Sequence, residues 1–178
     1  METKRNIQIS QPVTGEEEWL AAKEPLMTGW LTSGPKVAEF EKLFAELHNV
    51  KYAYAVTSAT TALHLALVAL GIGAGDEVIV PAFTWVSTAN VILYCGATVV
   101  FADVNPLTFN IDISDLKKRI TSRTKAIIPV HLFGLCADID KIKEVIPKGI
   151  FIIEDAACAV GAEQRGHVLG HRRGAATR

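Results

Sequence analysis

The sequence predicts an α/β fold: a mostly parallel sheet covered by helices on both faces, in three αβα layers. Two observations carry this. Short apolar runs alternate in order with segments of helical periodicity. The runs are apolar throughout rather than alternating, as strands buried on both faces require.

Residues 1–35 are rich in breakers, with Pro12, Gly15, Pro25, Gly29 and Gly34, and only Glu16 to Ala22 reads as a short helix. Pro35 suits a helix start. Val37, Phe40, Phe44 and Leu47 then recur at three- and four-residue steps. Tyr52 to Val56 reads as a strand, and Thr60 to Leu70 as a helix stopped by Gly71. The turn Gly73-Ala74-Gly75-Asp76 leads into strand Glu77 to Val80. Further on, helices over Val86 to Cys95, Asp112 to Ile120 and Asp138 to Val145 separate strands Thr98 to Ala102, Ala126 to Val130 and Ile150 to Ile153. Lys117, Lys118 and Arg119 near the end of the second of these helices complement its dipole. The pattern divides the chain into an N-terminal arm (1–35), one α/β unit (36–165) and an irregular, basic, glycine-rich end (166–178).

Composition narrows the function. The net charge is −1 and no basic block exists, which argues against nucleic acid. No apolar run reaches membrane-spanning length, and residues 1–11 lack a signal core. Three scattered cysteines make neither a disulfide framework nor a zinc pair, so a reducing, cytoplasmic setting is the expectation. No metal site is expected. Gly71-Ile72-Gly73-Ala74-Gly75 precedes a strand rather than a helix, so it is a turn and not a dinucleotide loop.

Four places carry chemical content. Phe151-Ile152-Ile153 ends in Glu154 and Asp155, and ligands of open α/β sheets bind beyond the carboxyl ends of strands. A carboxylate there suits the protonated ring nitrogen of pyridoxal phosphate, or is simply a turn acid. Val56 to Ala62 passes from strand through hydroxyl residues into a helix start, which favours a phosphate or is ordinary capping. Trp85 follows a strand and can lie on a planar ring or pack against the fold. His131 reads as a hydrogen-bonded structural histidine rather than an acid–base group.

Five segments in this order, Thr57 to Leu67, Gly75 to Pro81, Thr84 to Thr88, Arg123 to Leu132 and Ile153 to Ala157, resemble the DegT/DnrJ/EryC1/StrS family of pyridoxal-phosphate sugar aminotransferases. The resemblance runs from about Gly29 to Gly170. It implies the large domain of the aspartate-aminotransferase fold, incomplete at its C-terminus. By motif position, Ala59, Thr60 and Thr61 would meet the cofactor phosphate, Trp85 would stack on the pyridine ring, and Asp155 would hold the ring nitrogen. Cys158 stands where the family usually has Gln or His at the phenolic oxygen. Trp30, Leu31, Thr32 and Ser33 match the loop beside the sugar. The implied partners are a nucleotide-linked keto-sugar, an amino-acid donor such as glutamate, and a second copy in a homodimer.

The family continues past Gly170 toward the Schiff-base lysine and a small domain, whereas this sequence ends at Arg178. The expectation is therefore the N-terminal part of such an enzyme, truncated or frame-shifted near residue 166 and inactive in transamination by itself, with no catalytic residue in the chain. Two other readings accompany it: a sugar dehydratase of the same family, and a non-catalytic remnant that binds cofactor or pairs with a homologous subunit.

Overall fold

A computed structural model describes residues 11–164 and 167–169. Its core is a four-stranded parallel sheet of β1 (Glu77–Pro81), β2 (Thr98–Ala102), β3 (Thr124–Ile127) and β4 (Phe151–Ile152), in the order β2-β1-β3-β4. Parallel strands need crossovers, and α4 (Ser87–Tyr94), α5 (Ile113–Arg119) and α6 (Ile139–Val145) supply them. α3 (Ala59–Ala69) precedes β1.

Strand alternation produces the three layers. Val78, Val80, Ala126 and Ile128 face one side and pack with Leu63 and Leu67 of α3 and Val91 and Ile92 of α4. Ile79 and Ile127 face the other side and pack with Leu116 of α5 and Ile139 and Ile142 of α6. Ile79 and Ile127 have no exposed surface, so each contributes about 1.5–3 kcal/mol by burial. At the amino edge of the sheet, the Arg123 guanidinium and the Thr121 hydroxyl close on the buried Glu77 carboxylate. Lys125 is skipped in the β1–β3 register there, where Glu77 pairs with Thr124 and Val78 with Ala126.

The observed helices and strands agree with the sequence reading except at three places. Tyr52 to Val56 forms no strand. β4 is an edge of the sheet, and no strand among the described residues lies beside 52–56. The Ala55 N–H instead donates to Glu41 Oε1 at 2.8 Å. The first helix, α1, is longer than expected and runs Glu16–Thr28 through Pro25. The missing proline N–H is tolerated in a helix with no buried residue, and Gly29 at φ 72° supplies the left-handed stop. Within the expected irregular end, 166–178, the described residues hold one short strand, β6 (His167–Val168), which pairs antiparallel with β5 (Glu163–Gln164) just before it. Residues 165, 166 and 170–178 lie outside the described residues, among them Gly166, Gly170 and the Gly174-Ala-Ala-Thr177 echo.

α2 (Pro35–Leu47) also buries no residue. It is tied to the hairpin through His48, whose ring sits 4.4 Å from that of Phe44 and whose Nδ1 lies 2.6 Å from the Leu169 carbonyl oxygen.

Candidate cofactor site at the carboxyl edge of the sheet

The loops after β1, β3 and β4 meet around Asp155. Pairing continues beyond the strands: Asp155 N–H donates to the Pro129 carbonyl at 2.9 Å, and His131 N–H donates to the Asp155 carbonyl at 3.0 Å. This fixes the Asp155 backbone at the end of β4.

Asp155 as a residue is buried, 7% exposed. Its carboxylate Oδ2 accepts from the Thr88 hydroxyl of α4 at 3.0 Å, and Oδ1 accepts from Ala157 N–H at 3.2 Å. Both donors are neutral, and no lysine or arginine among the described residues pairs with Asp155. A buried carboxylate without a counter-charge is costly. A cationic ring nitrogen would supply that charge, so the residues present fit pyridoxal phosphate at this point.

Glu154 points elsewhere. Its Oε2 lies 3.1 Å from His131 Nε2, and His131 Nδ1 accepts from Ala137 N–H at 3.0 Å. Only the tautomer with its proton on Nε2 satisfies both bonds. Fully buried and bonded at both nitrogens, His131 ties β3, the Glu154 segment and the start of α6 together. The structural reading of this histidine therefore agrees with its contacts.

Ala59, Thr60 and Thr61 form the first turn of α3. A short turn, 70–76, returns the end of α3 to the start of β1, so α3 begins at the same sheet edge as Asp155. Ser58 caps the helix by accepting from Thr61 N–H at 3.2 Å, and the Thr61 hydroxyl lies 3.1 Å from those of both Thr57 and Ser58. The amides of Ala59 and Thr60 have no acceptor among the described residues. Two free amides and a hydroxyl cluster at a helix start suit a phosphate.

Trp85 is 76% exposed and stands one turn before Thr88, so its ring is free to cover a ligand beside Asp155. Cys158 is exposed, and its carbonyl lies against the Gly134 loop. Trp30, Leu31, Thr32 and Ser33 form the bend between α1 and α2. Trp30 donates its indole N–H to the Ser33 carbonyl at 3.0 Å and packs over Gly34, where a Cβ would collide with the ring. No described hydrogen bond or ion pair joins this bend to Asp155 or α3. The site residue whose role sequence reasoning missed is Thr88, which reaches Asp155 across 67 positions of chain. Its partner is distant in the chain, so no local pattern signals the contact.

Comparison with known proteins gives a consistent picture. A family model, the DegT/DnrJ/EryC1/StrS aminotransferase family, matches residues 12–177. GDP-perosamine synthase of Caulobacter vibrioides is 50% identical over 166 residues, covering 92% of this chain and 45% of that protein. Spr1654 of Streptococcus pneumoniae, assigned as a sugar aminotransferase, superposes with a TM-score of 0.89 at 36% identity, over 93% of this chain and 46% of the other. A GDP-4-keto-6-deoxymannose-3-dehydratase superposes at 0.87 with 33% identity, over 93% and 45%. The chain thus spans about half the length of the relatives it matches. Among the described residues, no helix is long and apolar enough to cross a membrane and no side-chain group is suited to a metal ion.

Proposed function

The chain belongs to the DegT/DnrJ/EryC1/StrS aminotransferase family, and from that premise we propose that it forms the cofactor-holding face of a pyridoxal-phosphate aminotransferase of nucleotide-linked keto-sugars. The observation that carries the proposal is Asp155, a buried carboxylate bonded only to neutral donors. When bound, the cofactor supplies an electron sink for a deprotonated substrate carbon.

The residues divide the work. Asp155 keeps the proton on the ring nitrogen, and Thr88 aims the carboxylate. The Ala59 and Thr60 amides, with the hydroxyls of Thr57, Ser58 and Thr61, take the phosphate. Trp85 covers one ring face and excludes water from it. Cys158 would be the residue to meet the phenolic oxygen, where a thiol bonds more weakly than an amide or imidazole. Trp30 to Ser33 flank the sugar. Glutamate donates the amine, the keto-sugar accepts it, and two copies share their sites across a homodimer interface.

The family lysine that holds the cofactor and moves the substrate proton has no counterpart in these 178 residues. A polypeptide of this sequence is therefore expected to bind pyridoxamine 5′-phosphate without turning over. Titration with pyridoxamine 5′-phosphate, followed by quenching of tryptophan fluorescence, tests the first half. Saturable binding that weakens about tenfold or more in Asp155→Asn supports the site, and equal binding by both proteins sinks it. Turnover by the pure polypeptide would overturn the second half.

A second reading, dehydration of a nucleotide-linked sugar, is favoured by the likeness to the GDP-4-keto-6-deoxymannose-3-dehydratase. With 15N-glutamate as donor, amination by the whole protein puts label into the sugar, and dehydration does not.

A further inference from the structure

Phe83, Phe109 and Phe133 form a continuous cluster of rings. The centroids of Phe83 and Phe109 lie 5.5 Å apart, and those of Phe109 and Phe133 lie 6.5 Å apart, edge to face. The three come from separate loops leaving β1, β2 and β3, at the sheet edge that carries Asp155. Despite their mutual contact they remain in water: Phe83 is 50% exposed, Phe109 43% and Phe133 75%.

Their backbone is also unusual. Phe109 has φ 58° and Phe133 φ 55°, in the left-handed region that bulky side chains avoid. Among the described residues only one other non-glycine residue has a positive φ, Asn49, and asparagine is a type that tolerates it. Strain of this kind persists where surrounding contacts enforce it, and it concentrates at ligand sites.

Asn110 is the enforcing contact. Its buried amide accepts from Leu132 N–H at 3.2 Å and donates to the Leu135 carbonyl at 3.0 Å, which brackets Phe133 from both sides. Phe109 N–H donates to the Asn105 carbonyl at 2.8 Å within the loop that the antiparallel Val104–Ile111 bridge closes. The loop then runs toward the cofactor side, since a Cβ on Gly134 would stand 3.7 Å from the Cys158 carbonyl. An exposed aromatic cluster, built at the expense of strain and joined to the Asp155 site through one loop, has the properties of a stacking surface.

We propose that Phe83, Phe109 and Phe133 form the platform on which the base of the nucleotide-linked substrate stacks. This rests on the nucleotide-sugar reading above and names the residues that take the nucleotide. A base offers an apolar face to an aromatic ring and keeps its polar edge in water, as this half-exposed cluster requires. Guanine is the base to try first, because two of the similar proteins are named for GDP-linked compounds.

The test is calorimetric titration of the 178-residue chain with GDP, alongside Phe109→Gly, Phe133→Gly and Phe133→Tyr. Glycine relieves the left-handed backbone, so thermal melts will separate lost binding from lost folding. The expected result is GDP binding about tenfold weaker in Phe133→Gly, retained in Phe133→Tyr, with pyridoxamine 5′-phosphate binding unchanged in all three. The proposal fails if the folded chain binds no GDP or if the glycine variants bind it as tightly as the parent. It fails equally if the glycine variants lose only self-association, which would assign the rings to a contact between copies. Pyridoxamine 5′-phosphate binding that survives either failure leaves the aminotransferase reading standing.

Discussion

The hydroxyl of Thr88 donates to Asp155 Oδ2 at 3.0 Å, across 67 positions of chain and from a helix on one face of the sheet to the end of an edge strand. Thr88 is 1% exposed. This bond sets where a buried charge points, and its removal should separate stability from ligand binding.

Thr88→Val keeps the shape and deletes the donor, and is expected to cost about 1–2 kcal/mol of stability. Asp155→Asn should act in the opposite sense. It removes an uncompensated buried charge, so the ligand-free chain should melt at a higher temperature. Both variants should bind pyridoxamine 5′-phosphate more weakly, Asp155→Asn by tenfold or more, roughly the worth of one charge-assisted hydrogen bond. Melting curves with and without ligand check both signs. Asp155→Asn that melts lower and binds unchanged would contradict the assignment.

His131 is expected to behave as a structural residue. His131→Ala leaves the Ala137 N–H and the Glu154 carboxylate without their partner in the interior, at a cost of about 3–4 kcal/mol. For a chain of this size that is roughly 10 °C in Tm. A variant that melts like the parent would remove the tie between β3, Glu154 and α6 from the account.

Glu77 couples stability to acid. The Thr121 hydroxyl first, and the Arg123 guanidinium with it, hold its carboxyl below the ordinary value of 4.5. The folded-state pKa is thus lower than the unfolded one. The stabilisation is complete above the unfolded value and is lost as pH falls through the folded value. Glu77→Gln should cost about 1–2 kcal/mol at neutral pH and flatten the dependence of Tm on pH below about 5. Equal pH slopes for parent and variant would disprove this.

Cysteine reactivity should be ordered by exposure. Cys158 is exposed, whereas Cys95 is half-buried and burial pushes its thiol pKa up. A thiol reagent at neutral pH should therefore label Cys158 before Cys95. Peptide mapping after partial reaction reads this, and first labelling at Cys95 would contradict the placement of the Asp155 loop.

The parallel α/β layering, the position of Asp155 beyond a strand and the hydroxyl-rich start of α3 are legible in the amino-acid order. Each is written in local periodicity or in a junction of a few neighbouring residues. Segment 52–56 departs from its strand-like sequence for a complementary reason. Its apolar residues suit a strand, but strand formation depends on a neighbour to take the backbone hydrogen bonds, and the described residues contain none. That Thr88 serves Asp155, that His131 spends both ring nitrogens on Glu154 and Ala137, and that Asn110 brackets Phe133 emerges from the folded arrangement alone. These are contacts between loops from different strands. Their geometry follows from strand order and register, which no stretch of neighbouring residues encodes.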